Sequence, residues 1–170
     1  VLSLLTAGAI LGKEFDIGQA SYLAGNDQPP TPESLSEAIS RNIIWVDEAV
    51  SKAQFVHDRL RESLLTRLEI AQRKQLHLRA AKMFESAQNN FPFEIAYHYD
   101  SAGDSERARP FALRAAADAR SKQSLNIAIQ QFQIALRGTS ENEIEIFRSI
   151  HEGLGEVYVL LGDYAKADEH

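Results

Sequence analysis

The sequence predicts a mainly α-helical protein in two parts: a small head of three helices, a β-hairpin and a fourth helix, then a stack of amphipathic helices. Three observations carry this prediction. Apolar residues recur at helical spacing through most of the chain. One stretch alone, Ile43 to Val46 with its partner Ala53 to Val56, is β-branched and aromatic enough to read as a pair of strands. Small residues then recur from Ala108 to Ala128 to Ala167, about one and then two helix-plus-turn units apart.

Taken in order, Leu2, Leu5, Ala9 and Ile10 mark a first helix that Gly12 ends. Phe15 and Ile17 anchor the next turn, and Ile17 to Leu23 forms a second helix closed by Gly25 and Asn26. After the linker Asp27-Gln28-Pro29-Pro30, Thr31 is placed as an N-cap, with Pro32 at the first helical position and Glu33 in the first turn. Leu35, Ala38 and Ile39 form the inner face of that helix, and Arg41-Asn42 ends it. The hairpin follows, with the polar tip Asp47 to Lys52. Three helices, a hairpin and a helix are the order of a winged helix, whose core would hold Leu5, Phe15, Leu23, Leu35, Ile39, Ile44, Phe55 and Leu60.

From Asp58 onward the chain reads as helical. Leu60, Leu64, Leu65 and Leu68 share one side, a break is expected near Leu68 to Ala71, and Ile70 to Gln88 continues with Leu76, Ala80 and Phe84 buried. Asn89-Asn90-Phe91-Pro92 marks the clearest boundary. The expected organisation is therefore a winged-helix-like domain over 1–67, a connecting helix over 68–91 and helical repeats over 92–170. In the repeats, Tyr99, Phe111, Phe132 and Tyr158 fill the gaps between layers, while small residues let helices approach closely.

Composition narrows the function classes. Hydrophobic residues make up 44% of 170, ample for a packed core. Cysteine is absent, which removes disulfides, thiolate nucleophiles and Cys-based metal sites and fits a cytoplasmic setting. The apolar run Val1 to Leu11 is well short of the ~20 residues that span a bilayer. With 18 basic and 24 acidic residues the net charge is -6, which opposes general attraction to nucleic acid. Val1 to Leu11 and Asp163 to His170 read as helices already under way, so a segment of a longer protein is expected.

Most chemical motifs dissolve on inspection. Gly8 to Lys13 has three residues between its glycines and Glu14 after the lysine, whereas a phosphate loop needs four and a Ser or Thr for magnesium. His77, His98, His151 and His170 show no metal-ligand spacing, so no metal site is expected. Glu141, Glu143 and Glu145 form an acidic helix start without a nucleophile or base, so no catalytic residues are assigned and the chain is not expected to be an enzyme. Glu33, Glu37 and Arg41 on the third helix give no basic reading surface for DNA. Arg59, Arg61, Arg67, Arg73 and Lys74, interleaved with Glu62 and Glu69, read as a solvated or interface face.

One motif stands out. In Phe55-Val56-His57-Asp58 an apolar strand end runs into a histidine, and Asp58 opens a long charged helix whose N-terminus carries partial positive charge. Asp58 is expected to cap the amides of Arg59 to Arg61, leaving His57 where a phosphate could be sensed. The plainer alternative is a helix cap beside a packed histidine.

Leu154-Gly155-x-x-Tyr158, Gly162-Asp163-Tyr164 and Ala167 resemble the first helix and turn of a tetratricopeptide repeat, and Ala128, Phe132 and Ala135 its second helix. The fold class expected is thus a winged-helix domain with a small β-hairpin followed by a tetratricopeptide-like α-helical solenoid. Leu4 to Phe15, Phe55-x-His57-Asp58-x-x-x-Glu62, Arg73 with His77, Ala96-x-His98-Tyr99 and Gly103-Asp104, in this order, resemble the segment after the P-loop core of bacterial signal-transduction ATPases of the STAND group. Members of that group include LuxR-type, adenylate cyclase-linked and kinase-linked regulators. The resemblance implies an upstream ATPase domain in the same chain, ADP or ATP bound by that domain and none by this segment, and a protein or peptide partner on the repeats. It also implies that His57 contacts the β-phosphate of ADP, as in the MHD motif of related immune-receptor ATPases, with Asp58 supporting the junction and Val56 in the methionine position. Alternatives are a plain protein-binding scaffold and a DNA-binding winged-helix regulator.

Overall fold

The computed structural model describes residues 1–26, 32–47, 49–87, 91–140 and 142–170. The expected linker Asp27 to Pro30, the N-cap Thr31, the side chain of Glu33, the boundary residues Asn89 and Asn90, and Glu141 lie outside the described residues. Among the described residues the chain is mainly helical with one three-stranded antiparallel sheet, and it divides into two units, Val1–Ala80 and Ala81–His170. The division falls inside helix α5 (Ile70–Ser86).

The first unit runs α1 (Leu2–Leu11), β1 (Glu14–Asp16), α2 (Ile17–Leu23), α3 (Pro32–Ser40), β2 (Ile44–Asp47), β3 (Lys52–Phe55), α4 (Asp58–Thr66) and the start of α5. Helix α1 is apolar nearly all round, and Leu4, Leu5, Ala7, Ala9 and Ile10 are buried. Gly8 lies against the Phe15 ring: a Cβ there would stand 2.6 Å from Phe15 Cζ. The glycine that resembles part of a phosphate loop is thus a packing residue.

Glu14–Asp16 is a strand, not the expected turn, and it converts the hairpin into a sheet of order β1-β3-β2. Three residues are too few to display alternation to a sequence pattern, yet the alternation is there: Phe15 points inward between Glu14 and Asp16. Phe15 packs on Phe55 with ring centroids 5.4 Å apart, and burying each ring contributes roughly 1.5–3 kcal/mol. Both hairpin strands are shifted by a residue from their expected limits. Asn42 adopts a left-handed conformation (φ 53), and the Ile43 N–H donates to Ala38 O at 2.9 Å, so the end of α3 takes Ile43 out of the strand.

Of the expected core residues, Leu5, Phe15, Leu23, Leu35, Ile44 and Phe55 are buried and Leu60 is half-buried. Ile39 is 42% exposed and does not belong to it. Leu35 and Ala38 already define the inward side of α3, and the next residue is turned about 100° further round the helix. Leu65 anchors α4, flanked by the half-buried Leu60, Leu64 and Leu68. The expected break separates Thr66 from Ile70.

The second unit contains the end of α5, then α6 (Pro92–Ala102), α7 (Ser105–Ser121), α8 (Leu125–Arg137), α9 (Ile144–Leu161) and α10 (Tyr164–Ala167). From α6 to α10 each helix packs on the next, and α6 also touches α8. Gly103 and Gly162 end α6 and α9 in the left-handed conformation, and Asp104 and Asp163 then accept hydrogen bonds from the N–H groups of Arg107 and Lys166. Helix α7 buries Ala108, Ala112, Ala115, Ala116 and Ala119, which lets its neighbours approach closely. Gly153 does the same for α9, since a Cβ there would stand 2.6 Å from Phe132 Cζ on α8. Tyr99 is buried and its hydroxyl donates to Glu85 Oε2 at 2.5 Å; burial first, then that carboxylate, pushes the phenol up to about 12. Ion pairs join Arg137 to Asp100 at 2.6 Å and Arg109 to Glu143 at 2.5 Å.

Candidate functional site

Two backbone hydrogen bonds and one buried ring fix the junction after β3. The Phe55 N–H donates to Lys13 O at 2.9 Å, the Val56 N–H to Ile43 O at 3.1 Å, and Phe55 itself is fully buried. The chain leaves the sheet with its direction set and enters α4 through His57, whose backbone is extended (φ -131, ψ 136). The His57 side chain is exposed.

His57, and not Asp58, is the N-cap of α4. Asp58 is the first helical residue, and no side chain caps the helix. With helical backbone angles its carboxylate cannot reach back over the first-turn amides as a capping side chain does. It stays favourable to the helix dipole and pairs instead with Lys13, whose Nζ lies 3.3 Å from Asp58 Oδ1. The backbone of Lys13 holds β3 and its side chain holds α4.

An open depression of about 510 Å³ is lined by His57, Asp58, Arg59 and Leu60. Imidazole, guanidinium and the positive end of the helix dipole meet there, with the single carboxylate of Asp58 offset by Lys13. Phosphate oxygens are acceptors that such a group of donors suits. Arg61 is committed elsewhere: its Nε donates to Ala9 O at 2.9 Å.

The other expected residues are placed as follows. His77 is 2% exposed, and burial, with Arg73 and Arg61 adding repulsion, lowers its pKa to about 4. His98 is buried and stacks on Phe84 at 5.6 Å. His151 and His170, apparently unrelated in sequence, meet with Nδ1 atoms 2.8 Å apart beside Phe147 and Tyr158. Nothing in local sequence announces that meeting, since the two lie on different elements joined by the turn at Gly162. Among the described residues no group of three or more His, Cys, Asp or Glu is placed to hold a metal ion. Glu143 is the N-cap residue of α9, and the Ser140 N–H and then Arg109 hold its carboxyl below the usual range, so it acts as a clamp. Glu37 on α3 pairs with Arg41, the residue after the helix ends, at 2.9 Å.

The second unit carries a groove that sequence patterning does not reveal. It encloses about 300 Å³ between the start of α6, the end of α7 and the start of α8. Phe93, Ala115, Ala119 and Ile127 supply its apolar lining, with Glu94, Asp118 and Lys122 at polar positions. No helix among the described residues is long and apolar enough to cross a membrane. Comparison with protein-family models, curated proteins and solved structures finds no match to this chain.

Proposed function

We propose that the chain is a non-catalytic regulatory segment of a multidomain signal-transduction ATPase, in which the first unit is a winged-helix lid responding to the nucleotide state and the second a tetratricopeptide-like array that binds a protein or peptide partner. The observation that carries it is the exposed His57 side chain at the uncapped start of α4, on the rim of an open depression that also presents Arg59. The element order α1-β1-α2-α3-β2-β3-α4 and the strand order β1-β3-β2 support a winged helix. Successive packing from α6 to α10 supports a repeat array, and the groove beside Phe93 and Ile127 gives a partner somewhere to bind.

In this mechanism ADP is bound by an upstream domain and its β-phosphate accepts a hydrogen bond from His57. That contact favours a closed, inactive arrangement, and nucleotide exchange or partner binding releases it by population shift. The test is His57→Ala in the longer protein this mechanism requires. Faster ADP release and raised basal output are expected; unchanged ADP retention and output would reject the sensing role. A plain scaffold is the second reading, favoured by the apolar groove of the second unit, and it predicts partner binding indifferent to nucleotide. The mutual pairing of Glu37 on α3 and Arg41 just after it argues against a third, direct DNA recognition.

A further inference from the structure

The outward face of the sheet carries the only tryptophan of the chain, and Trp45 is 59% exposed. Strand register places Trp45, Gln54 and Glu14 in one row across this face, and Asp47, Lys52 and Asp16 in the next. The inward rows hold Phe15, Ala53, Phe55 and Ile44, all buried, so the core accounts for that side of the sheet and leaves the outward Trp45 unexplained. A large aromatic ring exposed on a strand has little reason to be there for folding, and tryptophan is among the residues that dominate binding interfaces.

Trp45 borders a hollow of about 170 Å³ together with Glu14, Asp47, Val50, Lys52 and Gln54. Ligand pockets usually enclose about 300–1,000 Å³, so this one fits a single side-chain head group. Its charge is also defined. Lys52 is neutralised by Glu14 at 2.5 Å, and Asp16 spends an oxygen on the Gln19 N–H at 2.8 Å. Among the described residues Asp47 accepts only from the Ala49 N–H, at 3.0 Å, and forms no ion pair. Asp47 and Trp45 lie on the same face of one strand two residues apart, a separation of ~7 Å.

We infer that Trp45 and Asp47 form a docking point for an arginine side chain of a protein partner, with the guanidinium stacked on the indole and donating to the Asp47 carboxylate. A cation within about 6 Å of an indole centroid is attracted by the ring, and a guanidinium is planar enough to stack while its edge donors reach sideways. Lysine offers a point charge without the flat face, and a phosphate meets three carboxylates with one ammonium, already paired. The surface therefore selects basic peptide over nucleic acid.

The single tryptophan makes the test direct. A blocked Gly-Arg-Gly peptide is titrated into the protein while Trp45 emission and the Gln54 amide resonance are followed. Both should change saturably. The Gly-Lys-Gly peptide should bind at least about threefold more weakly, and Asp47→Asn, which keeps the oxygen that accepts from Ala49, about fivefold more weakly. Trp45→Thr, which preserves strand propensity at an exposed position, should abolish saturation of the Gln54 shift. A non-saturating response, equal binding by Asp47→Asn or Trp45→Thr, equal affinity for the lysine peptide, or preference for a short single-stranded oligonucleotide would each overturn the proposal.

Discussion

Lys13 Nζ lies 3.3 Å from Asp58 Oδ1, and the backbone oxygen of the same lysine accepts from the Phe55 N–H. One residue therefore sets where β3 ends and where α4 begins, and His57 stands between the two attachments. Both partners of the ion pair are at least half exposed, so its energy is small; its effect is to orient the junction. Lys13→Ala should lower unfolding free energy by no more than about 1 kcal/mol in denaturant titrations. A loss of several kcal/mol would mean that the pair supports the fold itself.

The vacant capping role at His57 gives a sharper stability prediction. Placing an oxygen there should satisfy a first-turn amide, so His57→Ser is expected to stabilise the protein by about 1 kcal/mol. Destabilisation in the same denaturant measurement would show that the imidazole contributes to packing. Stabilisation coupled to lost nucleotide response is the pattern expected where a site is kept for function.

Gly8 tests the close approach of α1 to the sheet. Gly8→Ala puts a methyl group 2.6 Å from Phe15 Cζ, and overpacking of this kind costs roughly 1–3 kcal/mol. If Gly8 were merely a tolerated helix residue, alanine would stabilise the helix by up to about 1 kcal/mol. The two accounts differ in sign.

His77 predicts a pH dependence. Its folded pKa, about 4, lies below the ordinary 6.5, so the unfolded chain binds the proton more readily. The histidine's contribution is complete above the unfolded value and is lost as pH falls from 6.5 toward 4, by up to roughly 3 kcal/mol. Unfolding free energies measured across that window should fall less steeply for His77→Gln than for the unaltered protein. Parallel curves would remove His77 as the cause.

In the second unit, Tyr99→Phe leaves the volume intact and deletes a charge-assisted hydrogen bond to Glu85, an expected loss of about 1.5–3 kcal/mol. The intact phenol should ionise near pH 12 in ultraviolet difference titration, against an ordinary 10. A midpoint near 10 would contradict the burial.

Residues whose role is set by neighbours along the chain were legible in the sequence. The end of α1 at Gly12, the limits of α2 and the start of α3 at Pro32 all follow from local turn and cap chemistry. What escaped depends on partners distant in sequence. β1 exists because Phe15 meets Ala53 and Phe55 across the sheet, and three residues cannot signal that alone. Ile39 has the right periodicity but is 42% exposed. Asp58 has the composition of a cap, yet the helix begins one residue earlier than its side chain could serve, and only the Lys13 contact shows where the carboxylate goes. Exposure of Trp45 and the meeting of His151 with His170 likewise require strand register and the turn at Gly162.

The regulatory proposal depends most on whether His57 senses nucleotide phosphate, and the imidazole resonances of His57 in the longer protein report that directly. Adding ADP should shift those resonances, because a phosphate accepting a hydrogen bond from the ring changes its electronic surroundings. Resonances that stay fixed while ADP is demonstrably bound would contradict it.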